Sequence, residues 1–151
     1  MNQERSEFQN MANLKLFLDT NIIIDLLADR IPYSNSAYSI FKGAKSNKWA
    51  LYTSSNSIIT TFYILEKQLD SNKANRAIET ILKRLEIIDL NKAELLQALK
   101  SKTADLEDAS QIECATKIKN VAFIVTRDKK GFKHSTIDVL DAEEFLITEM
   151  E

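Results

Sequence analysis

An apolar run that stops on an acid and turns at once into a helix does most to fix the architecture. It reads Leu16-Phe17-Leu18-Asp19-Thr20-Asn21-Ile22-Ile23-Ile24-Asp25-Leu26-Leu27. A short run that is apolar at every position suits a strand buried on both faces, and such strands belong to parallel sheets. The motif recurs. Strands are expected at Lys15–Leu18, Ala50–Thr53, Glu86–Leu90, Ala122–Val125 and Ile137–Leu140. Between them, apolar residues return at helical spacing: Ala37, Ile40, Phe41 and Ala44, then Ile58, Phe62, Leu65 and Leu69, then Ala74, Ala77, Ile78, Ile81, Leu82 and Leu85. Further helices are expected over Lys92–Lys100, Glu107–Lys119 and Ala142–Ile147. Strands alternating with helices predict an α/β fold with a mainly parallel sheet of four or five strands.

The length of 151 residues suits one domain, residues 14–151, preceded by a polar leader, residues 1–13. Met11 is a candidate second start. The leader lacks the apolar segment of an export signal, and no apolar run approaches a membrane span, so a cytoplasmic protein without a membrane partner is expected. The single Cys114 excludes an internal disulfide and fits a reducing compartment. With a formal net charge of −2, attraction to nucleic acid has to come from a local basic patch. Two glycines and one proline leave turning to Asn, Asp and Ser.

Acids stand where strands end or helices begin. Asp19 follows the first strand, Asp105-Leu106-Glu107-Asp108-Ala109 opens the sixth helix, and Phe123-Ile124-Val125-Thr126-Arg127-Asp128 leaves the fourth strand. Each has a plain alternative. Asp19 could be an N-cap, the second cluster could answer the helix dipole, and Asp128 could be a turn residue. Against this, Thr20 and Asn21 could cap in place of Asp19, and Asp108 lies one turn before the inward-facing Ile112, with Asp105 one turn earlier on the same side. Strand ends in an open α/β sheet converge on one edge, so these carboxylates are expected to meet there. Gathered carboxylates repel one another, and a divalent cation resolves the conflict. Oxygen donors with one His and one Cys in the chain favour Mg²⁺ or Mn²⁺ over zinc, and that chemistry leads to phosphodiester hydrolysis.

These residues resemble the PIN domain family, and within it the single-domain ribonuclease toxins of type II toxin–antitoxin modules (VapC-like). The resemblance spans about Lys15 to Leu146 and rests on Leu18-Asp19-Thr20-Asn21 with Asp25, then Asp105 to Ala109, then Ile124 to Asp128. It implies a three-layer α/β/α sandwich and a metal-dependent endoribonuclease acting on RNA. It also implies a homodimer held inactive by a cognate antitoxin protein. Asp19, Asp108 and Asp128 would be metal ligands, Asp105 a further catalytic acid, and Asn21 and Thr126 supporting polar groups at the substrate site. Arg127 and Lys129, with Lys130, Lys133 and His134 nearby, are candidate contacts to the RNA backbone; so is the run Lys42, Lys45 and Lys48. Both basic clusters could equally be solvated surface, and Trp49, Tyr33, Tyr38, Phe62 and Tyr63 are read as packing residues before base-stacking ones.

Two departures from the family pattern matter. Thr60 stands where the family usually carries an acid on its third helix. Glu66, six residues on, points about 120° away and is a poor substitute at ~100° per residue. Gly131 stands where relatives often have an acid. The first departure leaves open a degenerate PIN domain that binds RNA or protein without cutting. A phosphoacceptor receiver-like domain fits the placement of the acids less well.

Overall fold

The computed structural model describes residues 14–150; the polar leader and the alternative start at Met11 lie outside that range. Five strands form one parallel sheet: β1 (Leu14–Leu18), β2 (Trp49–Ser54), β3 (Leu85–Ile88), β4 (Val121–Val125) and β5 (Val139–Leu140). Their order across the sheet is β3-β2-β1-β4-β5. The chain therefore leaves β1 in one direction to build β2 and β3, then returns to lay β4 on the opposite side of β1. At such a reversal the connections diverge and leave a crevice beyond the strand ends, here between β1 and β4.

Helices α1 (Thr20–Leu27) and α2 (Ser34–Lys45) join β1 to β2, and α3 (Ser55–Glu66) and α4 (Ser71–Leu82) join β2 to β3. Helices α5 (Lys92–Lys100) and α6 (Leu106–Thr116) precede β4, and α7 (Ala142–Met150) follows β5. Alternation along β1 assigns its side chains to two cores. Leu16 and Leu18 pack with Ile22, Ile23, Ile40, Phe41, Trp49 and Phe145 on one face, while Phe17 packs with Ile112, Cys114, Ala115, Ile124 and Phe132 on the other. The result is a three-layer α/β/α sandwich.

Every expected strand and helix forms, with shifted ends that have local causes. β3 stops at Ile88 because the next backbone groups are taken by side chains: Lys117 Nζ donates to the Asp89 carbonyl at 2.9 Å, and Leu90 N–H donates to Ser55 Oγ at 3.3 Å. β5 begins at Val139 and not at Ile137 because Ser135 Oγ occupies both backbone groups of Ile137, at 2.8 and 2.9 Å. Tight turns fall on Asp29, Asn47 and Asn120, all at positive φ, in a chain with so few glycines. Trp49 is a core residue, edge-on to Phe145 with centroids 4.9 Å apart. It donates Nε1–H to the Ile40 carbonyl at 2.7 Å and fills the space above Gly43 that a Cβ would need. No helix among the described residues is long and apolar enough to cross a membrane.

Candidate active site

The acids picked out by sequence all start helical elements at the carboxyl end of the sheet. Asp19 caps α1, accepting Thr20 N–H at 2.8 Å; Asp105 caps α6, accepting Asp108 N–H at 2.9 Å; Asp128 caps the 3₁₀ turn Lys129–Phe132, accepting Gly131 N–H at 3.1 Å. The capping reading and the site reading are therefore compatible. A cap hydrogen bond fixes the carboxylate at the helix start, where the backbone dipoles favour negative charge.

Asp19 is 6 % exposed and its two oxygens are held from several sides. Gln111 Nε2–H donates to Oδ1 at 3.1 Å, Thr126 Oγ–H to Oδ2 at 2.8 Å, and Asn21 Nδ2–H to Oδ2 at 3.4 Å. Burial raises the pKa of Asp19; hydrogen bonds from Gln111, Thr126 and the Thr20 N–H oppose the rise without cancelling it, and the nearby Asp128 charge adds to it. Behind Asp19, Gln111 also donates to Ser57 Oγ at 2.7 Å and accepts from Ser54 Oγ at 2.5 Å, and Ser57 shares a proton with Thr20 at 2.8 Å. A closed polar network from β1, α1, α3 and α6 thus fixes one carboxylate. Gln111 escaped the sequence reading, although its position three residues after Asp108 placed it on the same helix face.

Asp108 and Asp128 converge elsewhere in the crevice. A Cβ built on Gly131 would fall inside 3.0 Å of both Asp108 Oδ2 and Asp128 Oδ2. Glycine is what lets both carboxylate oxygens come so close to the backbone of the 3₁₀ turn, because any side chain there would collide with them. The acids interact electrostatically as a set. Burial, followed by the charges of Asp105, Asp19, Asp128 and Glu107, lifts Asp108 from 3.8 to about 7, and burial with Asp19 and Asp105 also raises Glu107. Among the described residues, no three His, Cys, Asp or Glu side chains stand together closely enough to hold one metal ion. Asp108 and Asp128 do converge over Gly131, and oxygen-only donors of this kind suit a hard divalent cation.

A raised carboxyl pKa has a definite consequence for stability. Below pH ~4 Asp108 is protonated whether the chain is folded or unfolded; as pH rises towards its folded value of about 7, the unfolded chain releases the proton more readily. Folding is then progressively disfavoured. Without divalent metal, the melting temperature is expected to fall as pH rises from about 4 to about 7 and to level off above that, and Asp108→Asn should flatten the fall in a series of thermal melts.

The four residues expected to contact substrate bind the protein itself. Asn21 donates to Asp19 and to Thr126 Oγ1, and accepts Arg127 N–H at 3.3 Å. Thr126 donates to Asp19 and accepts Asp128 N–H at 3.0 Å, which links the two acidic segments. Arg127 grips buried Asp25 through Nε at 2.7 Å and Nη2 at 3.0 Å, and lies 4.1 Å from the centre of the Tyr33 ring. Lys129 pairs with Glu144 at 2.7 Å. Of the cations after β4, Lys130 and Lys133 are exposed and in no ion pair among the described residues. Lys42 and Lys45 line a different cleft, with Arg76 and Arg84. Thr60 is half-buried on α3, one turn beyond Ser57.

Comparison with known proteins bears on this geometry. The PIN domain family matches residues 15–130. Ribonuclease VapC1 of Aquifex aeolicus (strain VF5) is 34% identical over 140 residues, covering 89% of this chain and 95% of the relative. Among solved structures, DNA-bound VapBC of Salmonella typhimurium superposes with a TM-score of 0.65 at 20% identity, over 85% of this chain and 98% of that one. VapBC2 of Rickettsia felis, bound to a promoter fragment, gives 0.63 at 22% identity with the same coverages. With acids at the strand ends, a β3-β2-β1-β4-β5 sheet and a family match over most of its length, the chain belongs to the PIN domain family.

Proposed function

We propose that this protein is a metal-dependent endoribonuclease, the toxin of a type II toxin–antitoxin module. What supports the reading is that Asp19, Asp108 and Asp128, from three distant segments, lie near enough for their charges to act on one another, in a chain similar over nearly its full length to a ribonuclease. Asp19, Asp108 and Asp128 would hold the cation, with Asp105 as a further acid beside them. When bound, Mg²⁺ or Mn²⁺ supplies positive charge for a phosphoryl oxygen and acidifies water at the site.

The protein's own groups supply position. Gln111, Thr126, Asn21 and the Thr20 N–H hold Asp19 in one orientation, and Thr126 ties that orientation to Asp128. Exposed Lys130 and Lys133 are the cations available for the RNA backbone. Similarity to structures containing a VapB-type partner supports a cognate antitoxin as the inhibitor. A cytoplasmic homodimer is the expected setting.

The test is cleavage of labelled RNA by purified protein with Mn²⁺ or Mg²⁺, with chelator, and with metal restored. Cleavage that appears and disappears with the metal is the expected result; cleavage untouched by chelator would overturn the reading. Thr60 gives the alternative of a non-cutting PIN domain its specific content, because one fewer carboxylate weakens cation binding. Thr60→Asp is therefore expected to lower the Mn²⁺ concentration for half-maximal cleavage by about 10-fold, read from a metal titration.

A further inference from the structure

Beside the acids, a cavity of about 420 Å³ opens between α6, the loop after α5 and the segment following the 3₁₀ turn. Two of the chain segments that line it also carry residues of the proposed active site. Along α6, Asp105 and Asp108 lead one turn later to Ala109 and Ile112, which form its apolar floor; Glu113 stands at its side. The other segment, with His134 and Thr136, follows Gly131, the residue that lies against both Asp108 and Asp128. From Asp108 to Glu113 the helix rises by ~7–8 Å and turns by ~140°, carrying Glu113 round from the acids to the side of the cavity.

The rim is held in place while its recognition groups stay available. Ser135 N–H donates to the Phe132 carbonyl at 3.0 Å, and Ser135 Oγ fixes Ile137. Ser101 Oγ donates to the Ala98 carbonyl at 2.8 Å and accepts Thr103 N–H at 3.3 Å. Among the described residues, the side chains of Thr103, Glu113, His134 and Thr136 make no hydrogen bond or ion pair. An apolar floor with unspent donors and acceptors at its edge suits a flat heterocycle that stacks by its face and is read at its edge.

We propose that this cavity holds one nucleobase of the RNA strand beside the scissile phosphate, and that Glu113 selects a base with an exocyclic amino group over uracil. A carboxylate only accepts hydrogen bonds; an exocyclic amino group donates to it, whereas uracil offers it only N3–H, flanked by two carbonyl oxygens that repel it. Lys102, at the rim, is placed to meet the phosphate. This inference rests on the ribonuclease reading, so its test has one arm that needs no cleavage.

In the first arm, sequencing the ends cut from a random-sequence RNA should show at least fivefold depletion of uracil at one fixed position beside the cut. Glu113→Gln should bring that depletion close to one in whatever RNA it cuts. In the second, His134 is the only histidine, so its ring protons give an isolated NMR signal. Adding short single-stranded RNAs that differ at one base to the Asp19→Asn protein with Mg²⁺ should shift that signal, more strongly with cytosine than with uracil. Cleavage without base preference and without a shift overturns the cavity proposal and leaves the ribonuclease reading standing. A base-dependent shift without cleavage by the wild-type protein supports the cavity and overturns the ribonuclease. Neither cleavage nor shift overturns both.

Discussion

Asp19→Asn is expected to reduce RNA cleavage by about 10²- to 10³-fold with little effect on folding. The amide is nearly the same size as the carboxylate. Its oxygen can still accept Thr20 N–H and Gln111 Nε2–H on the Oδ1 side. On the other side, an NH₂ group replaces the oxygen that accepts from Thr126 at 2.8 Å and from Asn21 at 3.4 Å, and Thr126 Oγ already accepts from Asn21 and from Asp128 N–H, so these two contacts are lost. Against that loss, removing the negative charge relieves burial, which is the main influence raising the Asp19 pKa. Loss of activity with an unchanged melting curve would assign the charge itself to the reaction. Retained activity would remove Asp19 from the proposed metal site, and a large drop in melting temperature would give it a mainly architectural role.

Arg127→Ala is expected to act in the opposite way, costing stability before activity. Asp25 is 1 % exposed and its two oxygens are held by Arg127, which also stacks on Tyr33. Deleting the guanidinium strands a buried carboxylate. The cost is expected at ~3 kcal/mol, the low end for a broken buried pair because water can enter where the arginine was partly exposed, or roughly 6–12 °C in melting temperature. Arg127→Lys should recover little, since an ammonium cannot reproduce the two-pronged grip. Combining Arg127→Ala with Asp25→Asn should recover much of the loss, because the neutral amide needs no cation. If the double variant is no more stable than Arg127→Ala alone, the pairing is not what holds this corner.

How much of this was legible in the sequence depended on the reach of each interaction. Strand and helix positions follow from periodicity along a single element, and the junction at Asp19 declares itself within a dozen residues. Strand ends depend on partners far away: Lys117 stops β3 and Ser55 takes the Leu90 amide, neither of which is near in sequence. The acids were readable because several independent segments end in the same residue type at the same edge. Gln111 was not, because its importance comes from meeting Ser54, Ser57, Thr20 and Asp19 at once. Charge was also an incomplete guide to substrate contact. Arg127 and Lys129 looked like free cations beside Asp128, yet Asp25 and Glu144 already claim them.

Cys114 lies on the sheet-facing side of α6 and is fully buried, and burial pushes its thiol pKa up to about 11. Only the thiolate reacts rapidly with alkylating agents and aromatic disulfides, so in the folded protein this sulfur should stay silent towards them. Opening the β-sheet face that covers it would restore ordinary reactivity. The protein therefore carries its own chemical clock for unfolding, one that timed thiol labelling can read without introducing a cysteine.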